Sequence, residues 1–145
     1  IKNNDSDYIS SKELNYFIKK KIIIYLGFQS DIRKIFLKAN CIVLPSKLNE
    51  GIPRILIEAA ASSKFMISSN RPGCSTIIKN QYNGYLIKNI NKKKLANNML
   101  RYLTLNNNKK NFFFKNSKLM SQKFDEADIV TTYLKQLNKL HTVNL

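Results

Sequence analysis

Four short stretches of the chain are apolar along almost their whole length. They read "KIIIYLG" (21–27), "CIVLP" (41–45), "FMISS" (65–69) and "GYLI" (84–87). A strand with one face in water alternates apolar and polar side chains. These runs do not alternate, which places them in a sheet covered on both faces, the usual setting of parallel strands. Helical patterns flank them. "SSKELNYFIKK" from Ser10 carries a capping box, Ser10 to Glu13. "SDIRKIFLKAN" predicts a short helix, "PRILIEAAAS" one with Pro53 in its first turn, and "KKKLANNMLRYLTL" after Asn91 an amphipathic one. In the last of these the spacing turns Leu95, Met99, Tyr102 and Leu103 inward. "NRPGCS" reads as a loop, and beyond "NNNKK" two further helical patterns run to about Lys139.

This alternation predicts an α/β protein: a Rossmann-like, doubly wound parallel sheet with C-terminal helices. Residues 1–20 form a lead-in and first helix, 21–105 the sheet domain and 106–145 a helical tail. Sheets of this kind bind ligands beyond the carboxyl ends of their strands. The loops to inspect are therefore 27–31, 45–53, 69–75 and the turn before Gly84.

The formal net charge of +16 invites a nucleic-acid or membrane partner. Of the 25 basic residues, however, only Arg33, Arg54, Arg71 and Arg101 are arginine. Base readout and bidentate phosphate contacts favour Arg. Abundant Asn and Ile beside the Lys match a compositional bias that supplies lysine without selecting a partner, so nucleic acid is set aside. Contact with anionic lipid stays open, because Lys suits it. No apolar run approaches the ~18 residues of a membrane span. The two cysteines, Cys41 and Cys74, lie far apart, and the single histidine is His141. No metal-ligand spacing or histidine-dependent triad appears. Reduced cysteines fit a cytoplasmic setting. The chain starts at Ile1, and the expectation is a piece of something longer or a trimmed product.

One segment carries chemistry. "PSKLNEGIPRILIEAAAS" (45–62) passes from a polar loop into an apolar helix that holds an acid, Glu58, with Glu50 in the loop before it. The first amides of that helix lack intrahelical partners and carry the positive end of its dipole. Gly51 lets a ligand approach the backbone closely. A carboxylate accepts two hydroxyl hydrogens at once, which suits the vicinal diols of ribose and hexose. The plainer alternative pairs Glu58 with Arg54 one turn earlier and leaves Glu50 to favour the helix N-terminus. Spacing alone leaves both open.

"LGFQSDI…CIVLPSKLNEGIPRILIEAAAS…MISSNRPGC…NGYLI" closely resembles the C-terminal half of the family 4 (group 1) retaining glycosyltransferases, in the bacterial branch that builds capsule, O-antigen and other lipid-linked saccharides. Their Glu-x7-Glu motif is matched by Glu50 and Glu58, and a weaker likeness continues through "QKFDEADIVTTYL". The resemblance implies the donor-binding half of a two-domain GT-B fold, with the acceptor-binding N-terminal half missing from this chain. It implies transfer from a nucleotide sugar, UDP-sugar by expectation, to a saccharide or lipid-linked acceptor, without metal or cofactor. The setting is cytoplasmic, with possible peripheral contact at the inner face of an anionic membrane. Glu50, the catalytic residue of the motif, would contact the donor sugar, and Glu58 the ribose hydroxyls. Gly51, Ile52 and Pro53 would present backbone groups to sugar and diphosphate, while Ser46 and the Gly27 loop line the nucleotide pocket. The alternative is a degenerate module that binds nucleotide sugar without turnover, or a subunit that pairs with a separate N-terminal half. Asp5–Asp7, "DSD", has the form of a metal-binding motif of another glycosyltransferase fold, but it precedes a helix and does not follow a strand. Three departures stand out. Ser63, Lys64 and Phe65 replace a usual Gly-x-Pro, which implies an altered turn. Thr76 replaces an acid, and Asn80-Gln81 replaces Asp-Gly.

Overall fold

The computed structural model describes residues 9–125. Asp5–Asp7, the end of the "QKFDEADIVTTYL" stretch and His141 lie outside them. The chain divides into two compact units, Ile1–Ile32 and Arg33–Leu145.

In the first unit, helix α1 spans Ser11–Lys19. Ser10 caps it as its sequence predicts, the hydroxyl accepting the Glu13 N–H at 3.2 Å. The run predicted as a buried strand, 21–27, is not one: it carries no ladder among the described residues, and Ile22, Ile24, Tyr25 and Leu26 are exposed. β-propensity measures fit to a pleated surface beside a neighbour, and an apolar run without that neighbour stays irregular.

The second unit holds helix α2 (Arg33–Lys38) and a parallel sheet of β1 (Cys41–Leu44), β2 (Phe65–Ser69) and β3 (Gly84–Ile87) in the order β1-β2-β3. Cys41 pairs with Phe65 and Ile67 with Tyr85, which fixes the register. The crossovers are α3 (Arg54–Ala61) and α4 (Pro72–Ile77), followed by α5 (Lys92–Leu103) and α6 (Asn107–Ser121). The stretch read as a loop, "NRPGCS", thus holds much of α4. Pro72 opens that helix, and the Ser75 and Thr76 hydroxyls donate back to its carbonyl at 3.0 and 2.9 Å. The fixed φ of proline pre-forms a first turn.

Both faces of β2 are buried, in keeping with the apolar runs. On one face Phe65, Ile67, Tyr85 and Ile87 pack with Tyr102 of α5 and Phe113 of α6. Phe65 is the hub, its ring centroid 4.9 Å from Tyr85, 4.6 Å from Tyr102 and 4.7 Å from Phe113. On the other face Met66 and Ser68 are fully buried, and α3 lies against β1 and β2. Helix α6 also packs on α3 and β2. It is pinned through Ser117, which donates to the carbonyls of Lys64 (2.8 Å) and Asn83 (3.2 Å), and Asn116, which donates to Tyr82.

Two residues predicted inward on α5 are not. Met99 is 43% exposed and Leu103 66%. With Cys41, Val43, Tyr102 and Phe114 they line an open cleft of about 480 Å³ beside β1. Among the described residues that strand is the edge of the sheet, and no further strand pairs beyond it. Cys41 is partly buried here, and desolvation pushes its thiol up to about 12. Among the described residues no helix is long and apolar enough to cross a membrane.

Candidate functional site

The loop 45–53 joins the carboxyl end of β1 to α3, where a parallel sheet presents its ligand-binding loops. Strand β1 stops at Leu44 because Pro45 cannot donate to a ladder. Within the loop, the Ser46 hydroxyl donates to Glu50 Oε1 at 3.2 Å and accepts the Leu48 N–H at 3.3 Å. Two predicted site residues, Ser46 and Glu50, are thereby brought together. Glu50 and Gly51 are exposed, Ile52 is half-buried and Pro53 is buried. Pro53 occupies the cap position of α3, with φ −62° and ψ 122°, one residue before the first turn expected for it. Its carbonyl accepts the Leu56 N–H at 2.9 Å.

Glu58 lies further along α3. Leu56, Ala59 and Ala60 carry the buried side of that helix. Glu58 itself is at its margin, its side chain 33% exposed, and Arg54 Nε donates to its Oε1 at 2.8 Å. The plainer pairing read from the sequence is therefore present. The Arg54 side chain is 91% exposed. Ion pairs held in water contribute about 0–1 kcal/mol, so a ligand with two hydroxyls competes for this carboxylate at small cost.

Gly27 belongs to the first unit, exposed with φ 64°. The other predicted residues, Ser46, Glu50, Gly51, Ile52, Pro53 and Glu58, share the second. The cleft beside β1 contains none of them.

Sequence reading missed what holds the loop. Ser68 Oγ donates to the Leu44 carbonyl at 2.7 Å, and Ser69 Oγ donates to that of Ser46. Gly73 of α4 packs against the Glu50–Gly51 backbone. Arg71 Nη1 reaches Asn49 Oδ1 at 3.5 Å. A signal existed: two serines closing an otherwise apolar strand need acceptors once buried. Of the departures, Thr76 turns its hydroxyl to the Pro72 carbonyl. At Ser63, where the resemblance expects glycine, the residue itself adopts the left-handed conformation, φ 57°.

The family model described as "Glycosyl transferases group 1" matches residues 2–120. The chain belongs to the group 1 glycosyltransferases. It is similar to two curated members. One is the N,N'-diacetylbacillosaminyl-diphospho-undecaprenol alpha-1,3-N-acetylgalactosaminyltransferase of Campylobacter jejuni, 32% identical over 86% of this chain and 32% of the relative. The other is the UDP-Gal:alpha-D-GlcNAc-diphosphoundecaprenol alpha-1,3-galactosyltransferase of Escherichia coli, 35% identical over 59% of this chain and 21% of the relative. Among solved structures, Anabaena Alr3699/HepE in complex with UDP-glucose superimposes with a TM-score of 0.76 at 22% identity, covering 94% of this chain and 38% of that one. A glycosyltransferase from Rickettsia africae gives 0.78 at 20% identity, covering 88% and 35%. The fold is that of a GT-B glycosyltransferase's Rossmann-like half. This group 1 chain spans about a third or less of the length of the curated relatives it matches.

Proposed function

We propose that this chain is the donor-binding half of a retaining glycosyltransferase, which moves a sugar from a nucleotide-sugar donor to a lipid-linked or growing cell-surface saccharide. The observation that carries the reading is the pair Glu50 and Glu58, on one loop and the helix it feeds at the carboxyl end of a parallel sheet, in a group 1 family member. Relatives named for UDP-galactose and diphospho-undecaprenol substrates, and a neighbour holding UDP-glucose, support the donor and acceptor classes.

In this proposal Glu58 exchanges Arg54 for the two ribose hydroxyls. The amides that open α3 face the diphosphate, and their dipole favours negative charge. Glu50, with its Oε1 already accepting from Ser46, meets the donor sugar. The bond from the anomeric carbon to the diphosphate oxygen breaks, the acceptor oxygen bonds to the same face of that carbon, and its hydroxyl proton passes to the departing diphosphate, retaining anomeric configuration. No metal, organic cofactor or nucleic acid takes part. The Arg and Lys that neutralise the leaving group in the family normally precede the stretch present here, so this chain alone binds donor weakly and transfers little. Its lysines give peripheral contact with anionic membrane on the cytoplasmic side.

Titration of UDP and UDP-sugars into the chain, followed by calorimetry or by amide spectra, tests this. Glu58→Ala is expected to weaken UDP by about tenfold, the cost of a charge-assisted hydrogen-bond pair. Glu50→Ala is expected to leave UDP unchanged and weaken only the UDP-sugars. UDP binding equal in wild type and Glu58→Ala would remove the reading. A module that binds without turnover is favoured by one feature, Thr76 bonded to its own helix where the resemblance expects an acid. Transfer assays with a supplied N-terminal half separate the two.

A further inference from the structure

The last residue of β2 and the segment after it grip the loop 45–53 at several points. Ser69, 2% exposed, donates its hydroxyl to the Ser46 carbonyl. Arg71 reaches Asn49. Gly73, buried in the first turn of α4, leaves no room for a side chain. A Cβ there would overlap the Gly51 carbonyl oxygen and stand 2.6 Å from that of Glu50. The backbone at Gly73 does not have a positive φ, so glycine is required by space and not by conformation. The atoms in the way are backbone carbonyls, which no rotamer change can move aside. A side chain at 73 must displace either the loop or α4.

We infer that Gly73, with Ser69, is a positioning residue for donor binding. The missing side chain seats α4 against the Glu50–Gly51 peptides and fixes where the loop presents its groups to a nucleoside diphosphate sugar. This rests on the donor-binding reading of that loop. A misplacement of about an ångström among groups that position a substrate can cost about a hundredfold in rate.

The test uses the 145-residue chain, isotope-labelled, with the variants Gly73→Ala and Ser69→Ala and with UDP and UDP-glucose as probes. Gly73→Ala is expected to shift the Glu50, Gly51 and Ile52 amides, to leave those of Ile67 and Phe113 in place, and to weaken UDP-glucose by about tenfold or more. Ser69→Ala is expected to shift the 46–51 amides less and weaken the sugar nucleotide by about threefold, at a melting temperature within a few degrees of wild type. If Gly73→Ala confines its shifts to 70–77, or binds UDP-glucose as wild type does, the inference fails. Should Gly73→Ala not fold, Ser69→Ala decides alone: no shift at 46–51 overturns the inference. A wild-type chain that binds neither probe would remove the donor-binding reading and this role with it. The amide shifts would then still report whether α4 holds the loop.

Discussion

Ser63 and Gln81 carry backbone conformations that favour glycine, with φ of 57° and 63°. Both stand where the resemblance expects glycine. Each non-glycine residue holds the left-handed conformation at the cost of local strain. A left-handed residue with a side chain costs about 1–2 kcal/mol, and glycine returns part of that as unfolded-chain entropy. Ser63→Gly and Gln81→Gly are each expected to stabilise the chain by about 0.5–1 kcal/mol, read as a rise of a few degrees in thermal melting. An unchanged or lower midpoint in both would contradict the strain. Phe65, where the resemblance expects proline, works the other way. Its N–H donates to the Asn40 carbonyl at 3.3 Å, a bond proline cannot make. The Tyr102 hydroxyl donates to the same carbonyl at 3.2 Å.

At the scale of elements, β2 and its aromatic hub hold the second unit together. Phe65 touches α5 and α6 as well as β3 through its ring contacts. Phe65→Ala is expected to cost about 3–5 kcal/mol by denaturant titration, a loss that takes most of the stability of a small domain. Strand β1 is the weak edge. Burial holds the Cys41 thiol neutral in the folded chain, with a pKa near 12 against a usual 9.0. The unfolded thiol ionises first as pH rises through 9, so the unfolded state then binds fewer protons than the folded one. Stability is therefore expected to be insensitive to this group below pH 9 and to fall between 9 and 12. Cys41→Ala should flatten that alkaline slope in urea midpoints measured across the range. Native Cys41 should also alkylate far more slowly at pH 8.5 than the same thiol in urea.

At the scale of the whole molecule, a net charge of +16 on a chain with few arginines gives a diffuse field, not a reading head. The proposed peripheral contact implies sedimentation with phosphatidylserine-containing vesicles at low salt and release at about 0.5 M salt, with no binding to neutral vesicles. Binding to duplex DNA of equal strength and salt dependence would speak against a lipid preference. The amino-acid pattern by itself determined the α/β class, three of the four predicted strands and most of the helices. Caps such as Ser10 accepting from Glu13 N and Asn91 accepting from Lys94 N are local signals that need no distant partner. Tertiary structure decided the rest. Whether 21–27 becomes a strand depends on a neighbouring ladder, and whether Met99 and Leu103 are covered depends on where the sheet ends. The grip of Ser69 and Gly73 on the Glu50 loop joins residues more than twenty positions apart, and only the packed backbone brings such groups within contact.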